Sequence, residues 1–357
     1  MSDLRRFNSF ASAPSLKEEG MDISPVRDPL AAYSSAVFVC DFYSPGERLT
    51  GDGRLVIDLC ARLAAGLNIP TSFSTDYDVW TKLYHDKRTL YIGVNCDVSA
   101  ELNPVSVSIC NDFFNYSNNS DFYFQPFFAP LNSELPNKPC IYPIRTFPSR
   151  ATPQNIAKAF AKKPIDFDGK PVIALMLRNA DLHELISIRR TAHILHKKHQ
   201  AKFLIGSGPR TDENCEEGIR QIFKDLDCVQ MFSWHKLEGL ENPYLWMLGA
   251  ATHLVTSGTL STTSDLMATG KPVYYTDMCP GNSYDEGLRD RLVADHAVGQ
   301  FDEGMLERAP PSAAIRLSYQ ESWNELSRRF CADLKSLLAR RNNQSLNPSA
   351  EARVTNG

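Results

Sequence analysis

The stretch from Pro171 to Gly208 decides the fold and reads PVIALMLRNADLHELISIRRTAHILHKKHQAKFLIGSG. Its two apolar runs, Val172–Leu177 and Lys202–Ile205, have the length and composition of buried strands. Between them, His183–His199 has the length and the apolar spacing of a helix. Strand, helix and strand in this order predict a right-handed crossover between two parallel strands of one sheet.

The same alternation continues downstream, which makes this half of the chain a doubly wound α/β domain. Upstream, Thr152 followed by Pro153 is a typical helix start, and we place a domain boundary just before it, at residue 147. The further predicted elements are helix Glu213–Lys224, strand Val229–Phe232, helix Asn242–Ala250, strand His253–Thr256, helix Ser261–Thr269, strand Pro272–Thr276 and helix Tyr284–Ala294.

The N-terminal half has weaker helical signals and is predicted to be a smaller, loop-rich α/β domain over residues 34–146. Ala313–Arg341 is predicted to be one amphipathic helix that closes the second domain, residues 147–341, or alternatively binds a partner. Polar segments 1–33 and 342–357 are predicted to be disordered. In the first domain we predict strand Val37–Cys40, helix Arg54–Leu67 and strands Thr89–Val94, Val105–Cys110, Phe122–Phe124 and Cys140–Ile144.

Composition narrows the classes of partner and compartment. A formal net charge of −4 gives no overall positive field, so we expect no nucleic-acid partner. The nine scattered cysteines include no C-x-x-C pair, which favours reduced thiols in a cytoplasmic protein. No apolar run is long enough to span a bilayer, so we expect any membrane association to be peripheral. Arg5, Arg6 and Phe7 leave a mitochondrial presequence open, although Asp3 argues against it.

The best candidate for ligand binding is the turn between strand His253–Thr256 and the next helix. It carries Ser257, Gly258, Thr259 and Ser261. In doubly wound sheets, ligands bind outside the carboxyl ends of the strands. Backbone N–H groups and hydroxyls at this helix start would stabilise a diphosphate, and Asp265 would accept hydrogen bonds from ribose hydroxyls. The alternative is that these residues are ordinary helix caps.

The segment around this turn resembles the most specific motif of the mitochondrial fission elongated-mitochondria family. The match consists of Asn242-Pro-Tyr-Leu245, Val255-Thr256, Ser261, Ser264-Asp265 and Ala268-Thr-Gly-Lys-Pro-Val273. Weaker matches are Asp41, Pro45-Gly46, Asn111-Asp112, Thr152-Pro153 and Arg210-Thr211. The resemblance covers roughly residues 36 to 303, and it is stronger in the C-terminal half.

The resemblance implies two Rossmann-like domains in a glycosyltransferase-B-like arrangement that face a cleft. Plant members of the family help recruit the dynamin-type fission machinery at the mitochondrial surface. Two functions therefore stay open for this chain. One is an interaction protein in mitochondrial fission, either cytoplasmic or at the cytosolic face of the mitochondrial outer membrane. The other is a glycosyltransferase whose substrate is a nucleotide-sugar.

The chain departs from the family pattern at several positions that would hold an anion. Arg178 and Asn179 stand where the family has two glycines, Gly258 replaces an acidic residue, and Asp265 replaces a glutamate. The basic cluster expected around Tyr284–Arg289 is largely lost. Arg178 is then the candidate cation for an anionic ligand.

Two further sequence features are candidates for a phosphate site and a metal site. The run Gly206-Ser-Gly-Pro-Arg210 is a candidate phosphate-binding turn, with Arg210 as its cation, or a plain strand-end turn. His193, His196 and His199 are three apart on one helix, but adjacent lysines indicate a solvated face, and we expect no metal. No catalytic residue is identified from the sequence.

Overall fold

The structure is a computed structural model that describes residues 28–40, 52–74, 88–94, 105–109, 120–126, 140–146, 148–149, 151–177, 180–208, 211–233, 242–276, 283–319 and 322–346. Residues 1–27 and 347–357 of the predicted disordered segments lie outside the described residues. So do Asp41, Pro45-Gly46 and Asn111-Asp112 of the family resemblance.

The first domain is a six-stranded parallel sheet with strand order β2-β1-β3-β4-β5-β6. Its strands are β1 Ser35–Cys40, β2 Thr71–Ser74, β3 Thr89–Val94, β4 Val105–Ile109, β5 Phe122–Pro126 and β6 Cys140–Ile144, and helix α1 spans Asp52–Ala64. Strand β2 was not predicted, because its residues Thr71, Ser72 and Ser74 are polar. It lies at the edge of the sheet, where polar side chains are tolerated.

The second domain is also a six-stranded parallel sheet, with strand order β12-β11-β10-β7-β8-β9. Its strands are β7 Val172–Met176, β8 Lys202–Gly206, β9 Val229–Phe232, β10 His253–Thr256, β11 Val273–Tyr275 and β12 Gly299–Gln300. Its helices are α2 Pro153–Ala161, α3 Leu182–His199, α4 Glu213–Phe223, α5 Pro243–Ala250, α6 Leu260–Ala268, α7 Ser283–Ala294 and α8 Ala313–Ser318. Two Rossmann-like α/β domains were predicted, and this prediction is confirmed.

The helices of the second domain begin where the sequence predicted. The Thr152 hydroxyl accepts a hydrogen bond from the Asn155 N–H at the start of α2, and Pro153 occupies the first helical position. Asp181 and Glu184 form a reciprocal capping box at the start of α3. These local signals explain why the helix starts of this half were readable from the sequence.

The predicted closing helix is two helices that serve different domains. The prediction of one helix over Ala313–Arg341 is wrong, because α8 ends at Ser318 and α9 spans Trp323–Leu346. Tyr319, just after α8, packs into the core of the second domain. Phe330 of α9 is fully buried in the core of the first domain. One apolar periodicity therefore covers two segments that pack on different cores.

Helix α9 is held to the first sheet by polar contacts as well. Arg341 makes two hydrogen bonds to the Asp121 carboxylate, with N···O distances of 2.8 and 2.9 Å. The Tyr142 hydroxyl donates to the Asp333 carboxylate. These bonds join the C-terminal helix to β5 and β6, so the chain returns to its first domain before it ends.

Candidate ligand crevice in the second domain

The second sheet has a single reversal of strand order, between β7 and β10. From β7 the chain adds β8 and β9 on one side, and it then returns to add β10, β11 and β12 on the other side. Thr256 of β10 lies beside Met176 of β7, so the segments that follow these two strands flank one crevice. Ligands of open α/β sheets bind at this topological switch point.

The predicted turn, Ser257 to Thr259, lies at this crevice and joins β10 to α6. Gly258 has φ +95°, a backbone conformation that strains any side chain, so glycine is favoured at this position. The Gly258 N–H donates to the Thr256 hydroxyl at 3.1 Å. Ser257 is buried, with 3% of its surface exposed. Part of the turn is therefore satisfied within the fold.

The first turn of α6 is capped by the side chain of Thr259, which directly precedes the helix. The Thr259 hydroxyl accepts a hydrogen bond from the Thr262 N–H at 3.2 Å and donates to the Thr262 hydroxyl at 2.7 Å. Leu260 and Ser261 occupy the first two positions of the helix, so their N–H groups have no intrahelical partner. Ser261 is half-buried. Of the predicted anion donors, Ser261 therefore keeps an N–H group that the helix itself does not use.

Asp265 is tied to the linker between the domains and to helix α5. Its carboxylate accepts a hydrogen bond from the Ser149 hydroxyl at 2.5 Å and another from the Tyr244 hydroxyl at 3.2 Å. Ser149 in turn accepts from the Ala151 N–H at 2.9 Å. Burial, together with the negative charge of Asp265, raises the pKa of Tyr244 well above its ordinary value, so the phenol stays protonated and donates to the carboxylate.

Thr276, at the end of β11, lies next to this turn. Its N–H donates to the Thr256 carbonyl at 3.1 Å. Its side chain is 3% exposed, and its hydroxyl has no hydrogen-bond partner among the described residues. A buried hydroxyl without a partner carries a desolvation cost of about 1–3 kcal/mol. Among the described residues at the crevice, Thr276 has the one buried side-chain hydroxyl without a hydrogen-bond partner.

Lys271 of the family-like motif has a structural place. Its ammonium donates to the carbonyls of Leu248, Gly249 and Ala251 at 2.5, 3.0 and 2.6 Å. It thereby satisfies the C-terminal end of α5, where carbonyls lack intrahelical partners and a cation is favoured. Burial lowers the pKa of Lys271. Because Lys271 precedes β11, it lies at the amino ends of the parallel strands, whereas the crevice lies at their carboxyl ends.

A buried carboxylate that was not predicted from the sequence lies at the carboxyl ends of the strands, as the crevice does. Glu216 of α4 is 5% exposed, and its two oxygens accept hydrogen bonds from Ser207 and Ser233. These serines directly follow β8 and β9. Glu216 was not singled out in the sequence, and only the tertiary structure brings it to two strand ends. The signal available in sequence was a serine directly after each of two neighbouring strands.

Arg178 and Arg210, the two predicted cations, lie outside the described residues. The structure places the ends of β7 and β10 side by side, and the predicted role of the two arginines stays a prediction. Within the ranges described, no group of His, Cys, Asp and Glu side chains is arranged to hold a metal ion.

The sequence of the chain matches the model of a known protein family. The model described as Mitochondrial fission ELM1 matches residues 84–328, which is well over half of the chain. The chain belongs to the mitochondrial fission ELM1 family. The ELM1 match includes the linker at Ser149, the crevice turn, α8 and the first turns of α9, up to residue 328. A search of curated proteins found no match.

Solved structures with a similar fold include a glycosyltransferase, an O-GlcNAc transferase and a UDP-GlcNAc 2-epimerase. A glycosyltransferase from Rickettsia africae is 12% identical, with a TM-score of 0.45 over 88% of this chain and 98% of its own. The UDP-GlcNAc 2-epimerase of Neisseria meningitidis is 11% identical, with a TM-score of 0.47 over 85% and 100%. An O-GlcNAc transferase of Thermobaculum terrenum is 14% identical, with a TM-score of 0.46 over 88% and 68%. At these identities and TM-scores the similarity concerns the fold alone.

Among the residues that the structure describes, no helix has the combination of length and apolar character needed to cross a membrane.

Proposed function

We propose that this chain is a non-catalytic interaction protein of mitochondrial fission, built on a glycosyltransferase-B-like fold. The proposal rests on one observation: polar groups at the crevice already form hydrogen bonds with one another within the fold. Gly258 and Thr262 N–H groups already donate to threonine hydroxyls, and both oxygens of Asp265 already accept hydrogen bonds. A nucleotide-sugar would have to displace these bonds, whereas a scaffold gains rigidity from them.

The electrostatics of helix α7 support the same proposal. Arg289 lies where the family carries a basic cluster, and its guanidinium is paired with Asp290 at 3.0 Å. Glu286 on the same helix adds negative charge. Arg291, the other described arginine of this helix, is paired with Asp295 at 3.0 Å. A diphosphate near α7 would therefore meet cations that are already paired with aspartates, which is a weak anion site.

The proposed location is the cytoplasm, with recruitment to the cytosolic face of the mitochondrial outer membrane, and the proposed partner is the dynamin-type fission machinery. The test is imaging of the fluorescently tagged chain in cells of its source, combined with deletion. Signal at mitochondria and elongated mitochondria after deletion are expected. A diffuse signal together with normal mitochondrial shape would contradict the proposal.

A nucleotide-sugar glycosyltransferase is the second candidate. It is favoured by the unpartnered Thr276 hydroxyl and by the Leu260 and Ser261 N–H groups at the switch point. In that reading, Ser257, Gly258, Thr259 and Ser261 hold the diphosphate, and Asp265 binds ribose after release from Ser149. Arg178 and Arg210 would supply the positive charge.

Calorimetry separates the two candidates. The titrants are UDP-glucose, UDP-N-acetylglucosamine and GDP-mannose, and the variants are Asp265→Ala and the control Asp225→Ala. Asp225 is an exposed carboxylate that pairs with Arg189 at 2.7 Å, away from the crevice. An interaction protein gives no binding heat with any donor. Heat that Asp265→Ala abolishes and Asp225→Ala keeps would establish the second candidate instead.

A further inference from the structure

A second concave surface lies in the first domain, between the C-terminal turn of α1 and the first turns of α9. The cavity has a volume of about 470 Å³, which falls within the range of ligand sites. Its lining includes Arg62 from α1 and Trp323, Arg328 and Lys335 from α9. We call this surface the α1–α9 cleft. It belongs to a different domain from the crevice at Ser257.

The cleft is fixed by close packing of its two helices. A side chain at Gly66 would bring its Cβ to within 2.5 Å of the Ser327 hydroxyl oxygen, so the two segments approach each other only because residue 66 is glycine. The Ser327 hydroxyl donates to the Leu63 carbonyl at 3.2 Å. Both sides of the cleft are thus held in place before any ligand arrives, which lowers the entropic cost of binding.

The charge of the lining has one sign. Three cationic side chains line the cleft, and no Asp or Glu is among its lining residues. Arg328 pairs with Glu325 at 3.3 Å and Lys335 with Asp28 at 2.6 Å, both in exposed pairs that are easily exchanged. Arg62 makes no hydrogen bond or ion pair with another described residue. Arg62 is therefore the cation with the most to gain from an anionic ligand.

The floor of the cleft is apolar. Trp323 is partly buried and packs against the core of the first domain, with one side available to the cavity. Cys331 lies below it, and burial raises the pKa of its thiol, so the thiol is neutral. A tryptophan surrounded by arginine and lysine is typical of an interface that buries an apolar side chain within a charged rim.

We infer that the α1–α9 cleft binds an acidic peptide segment of a protein partner, with an apolar side chain on Trp323 and carboxylates at Arg62, Arg328 and Lys335. A peptide fits better than a free anion because the lining joins an apolar floor to three separate cations. This inference goes beyond the proposed function, since it concerns the first domain and does not depend on what the crevice binds.

The test uses the full chain and a fluorescein-labelled peptide of sequence EELEE, measured by fluorescence anisotropy. Binding should weaken about tenfold when Arg62 is changed to Glu, because the reversal replaces an attraction by a repulsion, each of the order of an exposed ion pair. The matched control is Arg340→Glu, the same charge change on α9 outside the cleft. The peptide KKLKK is expected not to bind.

A second measurement covers the case in which a variant is unstable. Binding of EELEE should change the emission of Trp323, and Trp323→Phe should abolish that change. Equal affinities of Arg62→Glu and Arg340→Glu, or no binding of EELEE to the unchanged chain, would overturn the inference. Binding to phosphatidylserine vesicles in the absence of peptide binding would also overturn it, and would assign the cleft to lipid headgroups.

Discussion

The two domains have the same kind of sheet, but their cores are closed in different ways. The second core is completed by helices that lie between its own strands along the chain, such as α5 and α6. The first core includes five buried residues of α9, which follows the whole second domain in sequence. Two similar sheets therefore differ in how far apart along the chain the residues that form each core lie.

The largest expected effect comes from Phe330, the residue of α9 at the centre of the first core. Its ring lies 5.1 Å from that of Phe122 and 6.0 Å from that of Phe124, and the side chain is fully buried. Phe330→Ala should lower the stability of the first domain by about 3–5 kcal/mol through the cavity that it creates. Hydrogen exchange by mass spectrometry should show faster exchange in β4–β6, while β7–β10 stay protected.

The control for this variant is Phe330→Leu, which keeps most of the volume and should cost clearly less. Equal loss of protection in both domains after Phe330→Ala would contradict this difference between the domains, because it would mean that the two cores unfold as one unit.

The second domain has its own weak point at Lys271. Lys271→Met leaves three carbonyls at the end of α5 without their charged donor, and the expected cost is about 2–3 kcal/mol. Loss of protection should be confined to α5, β10 and β11. Lys170→Met, at a partly exposed lysine before β7, serves as the control and should have no effect. An unchanged unfolding midpoint for Lys271→Met would show that these bonds are not stabilising.

High pH should destabilise the second domain through Tyr319. Burial first, and its hydrogen bond to Asp295 second, raise the pKa of Tyr319 to about 12 from an ordinary 10.0. A raised pKa stabilises the fold fully below pH 10, and this contribution is lost as pH rises towards 12 because the unfolded phenol ionises first. Since Tyr319 is buried, with 6% of its surface exposed, the loss should reach about 2 kcal/mol by pH 12.

The variant Tyr319→Phe should flatten the pH dependence of stability between pH 10 and 12 in the second domain. Tyr142, whose pKa is also raised by burial, provides the counterpart, and Tyr142→Phe should flatten the profile in the first domain. Domain-resolved exchange at pH 8 and at pH 10.5 measures both. An effect of either variant in the wrong domain would contradict the assignment of these tyrosines to separate cores.

The smallest effect is expected at Asp28, which pairs with Lys335 of α9. The Lys335 ammonium is the main cause of the lowered pKa of Asp28. The pair therefore adds stability above the ordinary pKa of 3.8, and this is lost as pH falls below it. Both groups are exposed, so Asp28→Asn should cost no more than about 0.5 kcal/mol at neutral pH and less in high salt. A larger cost in urea unfolding would mean that this pair anchors α9.

Some site features could be predicted from the sequence, and others could not. The turn at Ser257, the cap at Thr152 and the helix start at Asn242 are local, because each depends on residues within about four positions. The hydrogen bond between Ser149 and Asp265 joins residues 116 positions apart. The grouping of Glu216 with Ser207 and Ser233 depends on which strands are neighbours, and that order is not encoded locally.

The sequence by itself determined the α/β class, most strand and helix positions in the second domain and the family, because periodicity, caps and short motifs act over a few residues. Tertiary structure alone decided that the closing segment splits at Tyr319, that α9 returns to the first sheet, and that Asp265 is held by Ser149 and Tyr244. The physical reason is that apolar periodicity specifies which face of a helix is buried, whereas the core that buries it depends on contacts between distant segments.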